Sequence, residues 1–216
     1  MFKNKKWVVI LIVLIPSLLW IILETSTINS RKLPFYGPKV AQGTDTLYHS
    51  VKTEFEGVDS AGKRILFDTT NYPVLALMFI KDSYSNDAFR ISGFWEYVNY
   101  NNAKIEHIPV ILVCEKENGR SQTVNAIKQM AKKTDNIHFA AWNKNTFDSL
   151  NKEYFKEKPY YVDYSFFMLI DKKRHIRGYY DSRYVAEMKR LIGEYQHLRL
   201  KEEKQLLINA NEIKTK

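Results

Sequence analysis

The stretch FIKDSYSNDAF, Phe79 to Phe89, decides the reading of this chain. It follows YPVLALMFI, whose almost unbroken apolar character predicts a strand covered on both faces. It precedes FWEYVNYN, which has helical spacing, so the stretch is a loop joining a central strand to a helix. Ser83, Ser85, Asn86 and Asp87 all suit loop and N-cap positions, and Asp87 complements the positive end of the helix that follows. Asp82 and Asp87 lack a defined pocket and read as solvated carboxylates. The loop contains no cysteine.

Working outward, the 216 residues allow one folded domain with extensions. Hydrophobic residues make up 45% and charged ones 26%, but the apolar excess is concentrated at the start. WVVILIVLIPSLLWIIL, Trp7 to Leu23, carries no charge and reaches the lower limit of roughly 17 residues for a helix crossing about 30 Å of hydrocarbon. Lys3, Lys5 and Lys6 precede it and Glu24 follows, so the positive-inside bias puts the N-terminus in the cytoplasm and the rest outside. No small-x-small cleavage site follows the run, and no cysteine is placed for lipid attachment. The expectation is a single retained anchor in the cell membrane, with Pro16 tolerated inside it.

The net charge of +9 is scattered and interleaved with acids, which describes a solvated surface with some attraction to anionic lipid. No nucleic-acid motif accompanies it. The single cysteine, Cys114, excludes an internal disulfide and two-cysteine redox cycling. Neither a phosphate-cradling glycine loop, a Gly-x-Ser-x-Gly elbow nor a His-Glu-x-x-His helix is present.

The chain organises as a cytoplasmic N-terminus at 1–6, an anchor at 7–23, a polar tether at 24–48, a folded domain at 49–198 and a charged C-terminal helix or tail at 199–216. Thr53 to Asp68 reads as a β-hairpin around Asp59-Ser60-Ala61-Gly62, with Gly62 suited to positive φ. Pro73 to Ile80 is the central strand. A helix follows over Asp87 to Asn101, with Phe89, Phe94, Tyr97 and Val98 facing inward. Ile108 to Glu115 is a second buried strand, and Ser121 caps a helix with Val124, Ile127, Met130 and Ala131 inward. Ile137 to Trp142 is a third strand, with a helical segment from Thr146. SFFMLID and HIRGYYD pair through Lys172-Lys173-Arg174, and a long helix starts near Ser182 with Val185, Met188, Leu191, Ile192 and Tyr195 inward. The order βαβ then ββα predicts a thioredoxin-like α/β fold, a mixed central sheet flanked by helices.

LPFYGP, EGVDSAGKRILFD, PVLALMFI with its loop, and above all MLIDKKRHIRGYYD at Met168 to Asp181 resemble the SCO/SenC proteins. The resemblance spans roughly Leu33 to Tyr195. It implies a membrane-anchored thioredoxin fold, a protein partner in assembly of cytochrome c oxidase, and a copper site made of a Cys-x-x-x-Cys loop and a histidine. Two thiolates and an imidazole form a soft set suited to copper. Matched to that pattern, Ser83 and Asp87 stand at the cysteine positions with the spacing kept, and Tyr164 stands at the histidine. Serine hydroxyl, a lone carboxylate and a phenol of pKa about 10 are poor copper ligands. The expectation is therefore no bound cofactor and a non-enzymatic binding or scaffolding role. Two alternatives stand beside it: a copper metallochaperone with His or Met ligands recruited elsewhere, and, disfavoured for want of a loop thiol, a thiol-dependent enzyme.

Other candidates read as ordinary structure. Cys114 lies within an apolar strand. His49, His107, His138, His175 and His197 are dispersed, and Met78 and Met168 fall on adjacent strands where packing explains them. Tyr160, Tyr161, Tyr164, Tyr179 and Tyr180 cluster around the late strands, as a core rim or a recognition face.

Overall fold

A computed structural model of the chain describes residues 14–23, 32–52, 56–58, 64–81, 91–100, 108–115, 129, 135–156, 158–159, 161 and 165–214. They fall into two compact units, Met1–Leu33 and Pro34–Lys216. In the first, residues 14–23 are helical, and the Ser17 hydroxyl donates to the Leu14 carbonyl at 3.0 Å. Among the described residues no helix is long and apolar enough to cross a membrane; residues 7–13 of the expected anchor lie outside them.

The second unit is an α/β domain. Strands β1 (Lys39–Gln42) and β2 (Asp45–Tyr48) make a separate antiparallel pair. The main sheet has seven strands in the order β4-β3-β7-β6-β5-β8-β9. These are β3 (Glu56–Val58), β4 (Arg64–Leu66), β5 (Leu75–Ile80), β6 (Val110–Glu115), β7 (Ile137–Trp142), β8 (Phe166–Ile170) and β9 (Ile176–Asp181). Parallel pairing joins β5 to β6 and β6 to β7, whereas β8 runs antiparallel to both β5 and β9, so the sheet is mixed as expected. Among the described residues of this unit, the helices that flank the sheet are α1 (Ser92–Tyr100), α2 (Lys144–Tyr154) and α3 (Val185–Lys214).

β5 is buried along its whole length because it alternates two apolar faces. Leu75, Leu77 and Phe79 join Ile111, Val113, Ala140, Met168 and Ile170 in one cluster, closed by Phe147 and Tyr154 of α2. Met78 lies on the other face with its partner Phe167, whose ring is 4.9 Å from that of Phe94 on α1. α3 packs along α1, its Met188, Leu191, Ile192 and Tyr195 buried as the periodicity predicts.

Several boundaries differ from the sequence reading. α2 starts at Lys144 rather than Thr146, because the Asn143 side chain caps it by accepting from the Thr146 amide at 2.9 Å. Residues 34–48, read as tether, carry the β1–β2 hairpin. The division at 198/199 falls inside one continuous helix. The turn at 59–62, the start of the helix at 87, and the helix expected after Ser121 lie outside the described residues, residue 129 excepted.

Candidate functional site

Ser83, Asp87 and Tyr164 all lie outside the described residues, as do Asp82, Tyr160 and His107. Their flanks are described. β5 ends at Ile80, and the chain after the loop enters α1 at Ser92. Two hydrogen bonds tie that entrance to the turn between β9 and α3, and a third ties the turn to Ser165. The Phe94 amide donates to the Ser182 carbonyl at 2.9 Å, the Ser92 hydroxyl to the Arg183 carbonyl at 3.2 Å, and the Ser182 hydroxyl to the Ser165 carbonyl at 2.5 Å. Ser165 directly follows Tyr164 and adopts a left-handed backbone at φ 55°. Ser182 is fully buried. One serine thus fastens the start of α1 to Ser165, the residue after Tyr164.

Gly93 sets how closely α1 approaches. A Cβ there would lie 2.5 Å from the Tyr184 carbonyl carbon and 2.7 Å from that of Arg183. The turn is stiffened by Asp181, whose carboxylate accepts from the Arg183 amide at 3.0 Å and from the Arg183 guanidinium at 2.5–3.0 Å.

Cys114 pairs with Ile80 across β5 and β6, so the only thiol sits beside the strand end from which the loop departs. It is 5% exposed. His138 packs against Phe67 and Tyr72, and His175 against Phe35 and Tyr48, in different parts of the domain. Met168 is opposite Leu77 while Met78 is opposite Phe167, so the two thioethers point to opposite faces of the sheet. They cannot converge on one ion. Among the described residues no group of three or more His, Cys, Asp or Glu side chains is placed to hold a metal.

Of the late tyrosines, Tyr179 and Tyr180 are buried in the core and Tyr161 is partly buried against it, while Tyr160 and Tyr164 lie outside the described residues. The Tyr179 hydroxyl donates to the Tyr154 carbonyl at 2.9 Å, and the Tyr180 hydroxyl to Glu194 Oε2 at 2.5 Å. Burial raises the Tyr180 pKa; its hydrogen bond to Glu194 and that carboxylate's charge raise it further, against Arg190. Burial likewise raises Tyr154, whose hydroxyl donates to the Lys52 carbonyl. Tyr161 stacks on Phe166 with ring centroids 4.0 Å apart.

The two most recognisable motifs meet each other. In IDKKRHIRGYYD, Asp171 Oδ1 accepts from the Lys173 and His175 amides at 2.9 and 3.0 Å, closing a turn in which Arg174 has φ 63°. Asp171 Oδ2 accepts from Arg177 Nη1 at 2.9 Å. Arg177 Nε donates to the Pro34 carbonyl at 3.0 Å, and its guanidinium lies 3.9 Å over the Phe35 ring. Sequence reasoning missed Arg177, Ser182 and Gly93 as fixing residues, since each acts through a partner distant in sequence.

No family model and no curated protein matches the chain. Solved structures do. A SCO1/SenC family lipoprotein from Bacillus anthracis is similar at 13% identity and a TM-score of 0.50, over 69% of this chain and 95% of that one. Copper-bound yeast Sco1 aligns at 18% identity and TM-score 0.39, over 65% of this chain and 90% of that one. A thiol-disulfide oxidoreductase thioredoxin domain from Bacteroides vulgatus aligns at 13% and 0.43, over 67% and 99%. The SCO/SenC resemblance read from the motifs extends to the fold, which is thioredoxin-like.

Proposed function

We propose that this chain is a membrane-anchored, extracytoplasmic thioredoxin-fold factor that works by binding or scaffolding in cytochrome c oxidase assembly, without copper or dithiol chemistry of its own. The observation that carries it is a kept frame with a changed donor set. The loop retains its place and spacing, and Ser182 joins its exit to the segment after Tyr164, yet the three ligand positions hold Ser83, Asp87 and Tyr164. Those oxygen donors do not fit copper(I), which selects thiolate, thioether and imidazole. The anchor is the uncharged run Trp7 to Leu23, which would place the domain on the outer side of the cell membrane with Lys3, Lys5 and Lys6 in the cytoplasm.

Recruitment of other soft ligands is disfavoured because Met78 and Met168 face apart. A thiol enzyme is disfavoured because Cys114 is buried in β6. The test is a copper(I) titration of the full chain in detergent against a chromophoric competitor, run beside the triple variant S83C/D87C/Y164H. The wild type should leave the competitor loaded while the variant withdraws one equivalent. Stoichiometric capture by the wild type would overturn the proposal.

A further inference from the structure

The β1–β2 hairpin presents a face that nothing described in the domain covers. Val40 and Leu47 are cross-strand partners, hence on one side of the hairpin, and they are 60% and 58% exposed. The opposite side holds Tyr48, which stacks on Phe35 at 4.0 Å and so fixes the hairpin to the domain. At its base lies a cleft of about 500 Å³ between the hairpin, the β8–β9 turn and α3. Its aromatic wall is Phe35 and Tyr48, and its rim carries Lys173 and Lys201.

The charges of this surface divide unevenly. Asp171 is committed to Arg177 and to two backbone amides, and Glu202 is 3.9 Å from the Lys172 ammonium. Asp45, at the hairpin tip, shares the Val40 and Leu47 face by alternation and is the acid that opposes anion binding there. Lys173 and Lys201 line the same cleft as the exposed Leu47, the cross-strand partner of Val40. Apolar side chains flanked by lysines are the chemistry of a bilayer interface, where carbon enters among acyl chains and ammonium groups meet lipid phosphate.

The geometry points to this hairpin and cleft as a docking surface for anionic phospholipid, seating the domain directly on the bilayer that anchors it. The inference rests on the anchored reading proposed above. Residues 24–33 span at most about 35 Å even fully extended, so an anchored domain is held at high effective concentration near headgroups. A contact of two aliphatic side chains and two lysines, too weak to hold a free protein, is sufficient under that restraint.

The test is hydrogen exchange of residues 39–48 in the full chain reconstituted into nanodiscs. One set of discs is phosphatidylcholine alone; the other is equal parts phosphatidylcholine and phosphatidylglycerol. Exchange should slow in the anionic discs, and K173E/K201E should return it towards the phosphatidylcholine rate by about fivefold per lysine. V40S/L47S, which alters only exposed positions, should abolish the protection. Chain retained in the discs with equal exchange in both lipids overturns the docking surface and leaves the anchor standing. Chain that fails to enter discs overturns the anchor, and the docking surface with it. Equal protection from inorganic phosphate, or protection in phosphatidylcholine that grows with chain concentration, would identify a free anion or a second copy and overturn the lipid assignment.

Discussion

Replacing Arg177 by alanine separates architecture from chemistry in the motif that carries the resemblance. The guanidinium and the Asp171 carboxylate are each 9% exposed, and removing one partner of a buried pair costs about 3–5 kcal/mol. Asp171 keeps two amide donors, which argues for the lower end of that range. The lost stacking on Phe35 adds about 0.5–1 kcal/mol, and the Pro34 carbonyl loses its charged donor. A total of about 4 kcal/mol, at a urea dependence near 2 kcal/mol per M, lowers the unfolding midpoint by about 2 M. Urea titration of the full chain in detergent, followed by intrinsic fluorescence, measures it. R177K, which keeps one charge but not the fork, should fall about halfway. D171N combined with R177A should destabilise by less than the sum of the two single variants. A midpoint shift below about 0.5 M for R177A would refute the reasoning and return the motif to candidacy as a working surface.

Two glycines make opposite predictions. G93A forces a methyl against the Arg183 and Tyr184 backbone and should destabilise by roughly 3 kcal/mol or prevent folding, whereas G193A in open space on α3 should stabilise by up to about 1 kcal/mol, both read from urea midpoints. Tyr154 has a raised pKa in the fold, so above pH 10 the unfolded chain loses a proton that the native one retains, and stability falls as pH rises. Y154F should therefore flatten the alkaline limb of the stability profile by about 1.4 kcal/mol per pH unit above pH 10; unchanged slopes would show that the hydroxyl titrates freely.

What the sequence makes legible is what burial dictates. β5 is visible because both of its faces are apolar, and α3 because Met188, Leu191, Ile192 and Tyr195 repeat at helical spacing. The β1–β2 hairpin is not visible, because Lys39–Gln42 and most of Asp45–Tyr48 are exposed and show no half-buried alternation. Asn143 is hidden by the polar Lys144 and Asn145 that follow it, which push the apparent helix start towards Thr146. Of the site, the loop's place, its spacing and the absent thiols are all legible. Its fastening is not: Ser182 acts on Phe94 and Ser165, and no local pattern relates residues so far apart in the chain.

The residues that make the resemblance specific are the ones that hold the domain together. Asp171 closes a turn, Arg177 clamps Phe35 and Pro34, Tyr179 and Tyr180 bond to Tyr154 and Glu194, and none of these contacts involves the loop after β5. Selection for a folded domain can keep every one of them whatever stands at positions 83, 87 and 164, so the motif reports architecture and is silent on chemistry. The converse also holds. The α1 entrance is fixed by Ser182 and Gly93, through contacts that do not depend on which side chains stand at positions 83 and 87. On the function proposed above, a thioredoxin-like frame outlives its metal site, and its role is sought on surfaces such as the β1–β2 hairpin that the frame holds out to solvent.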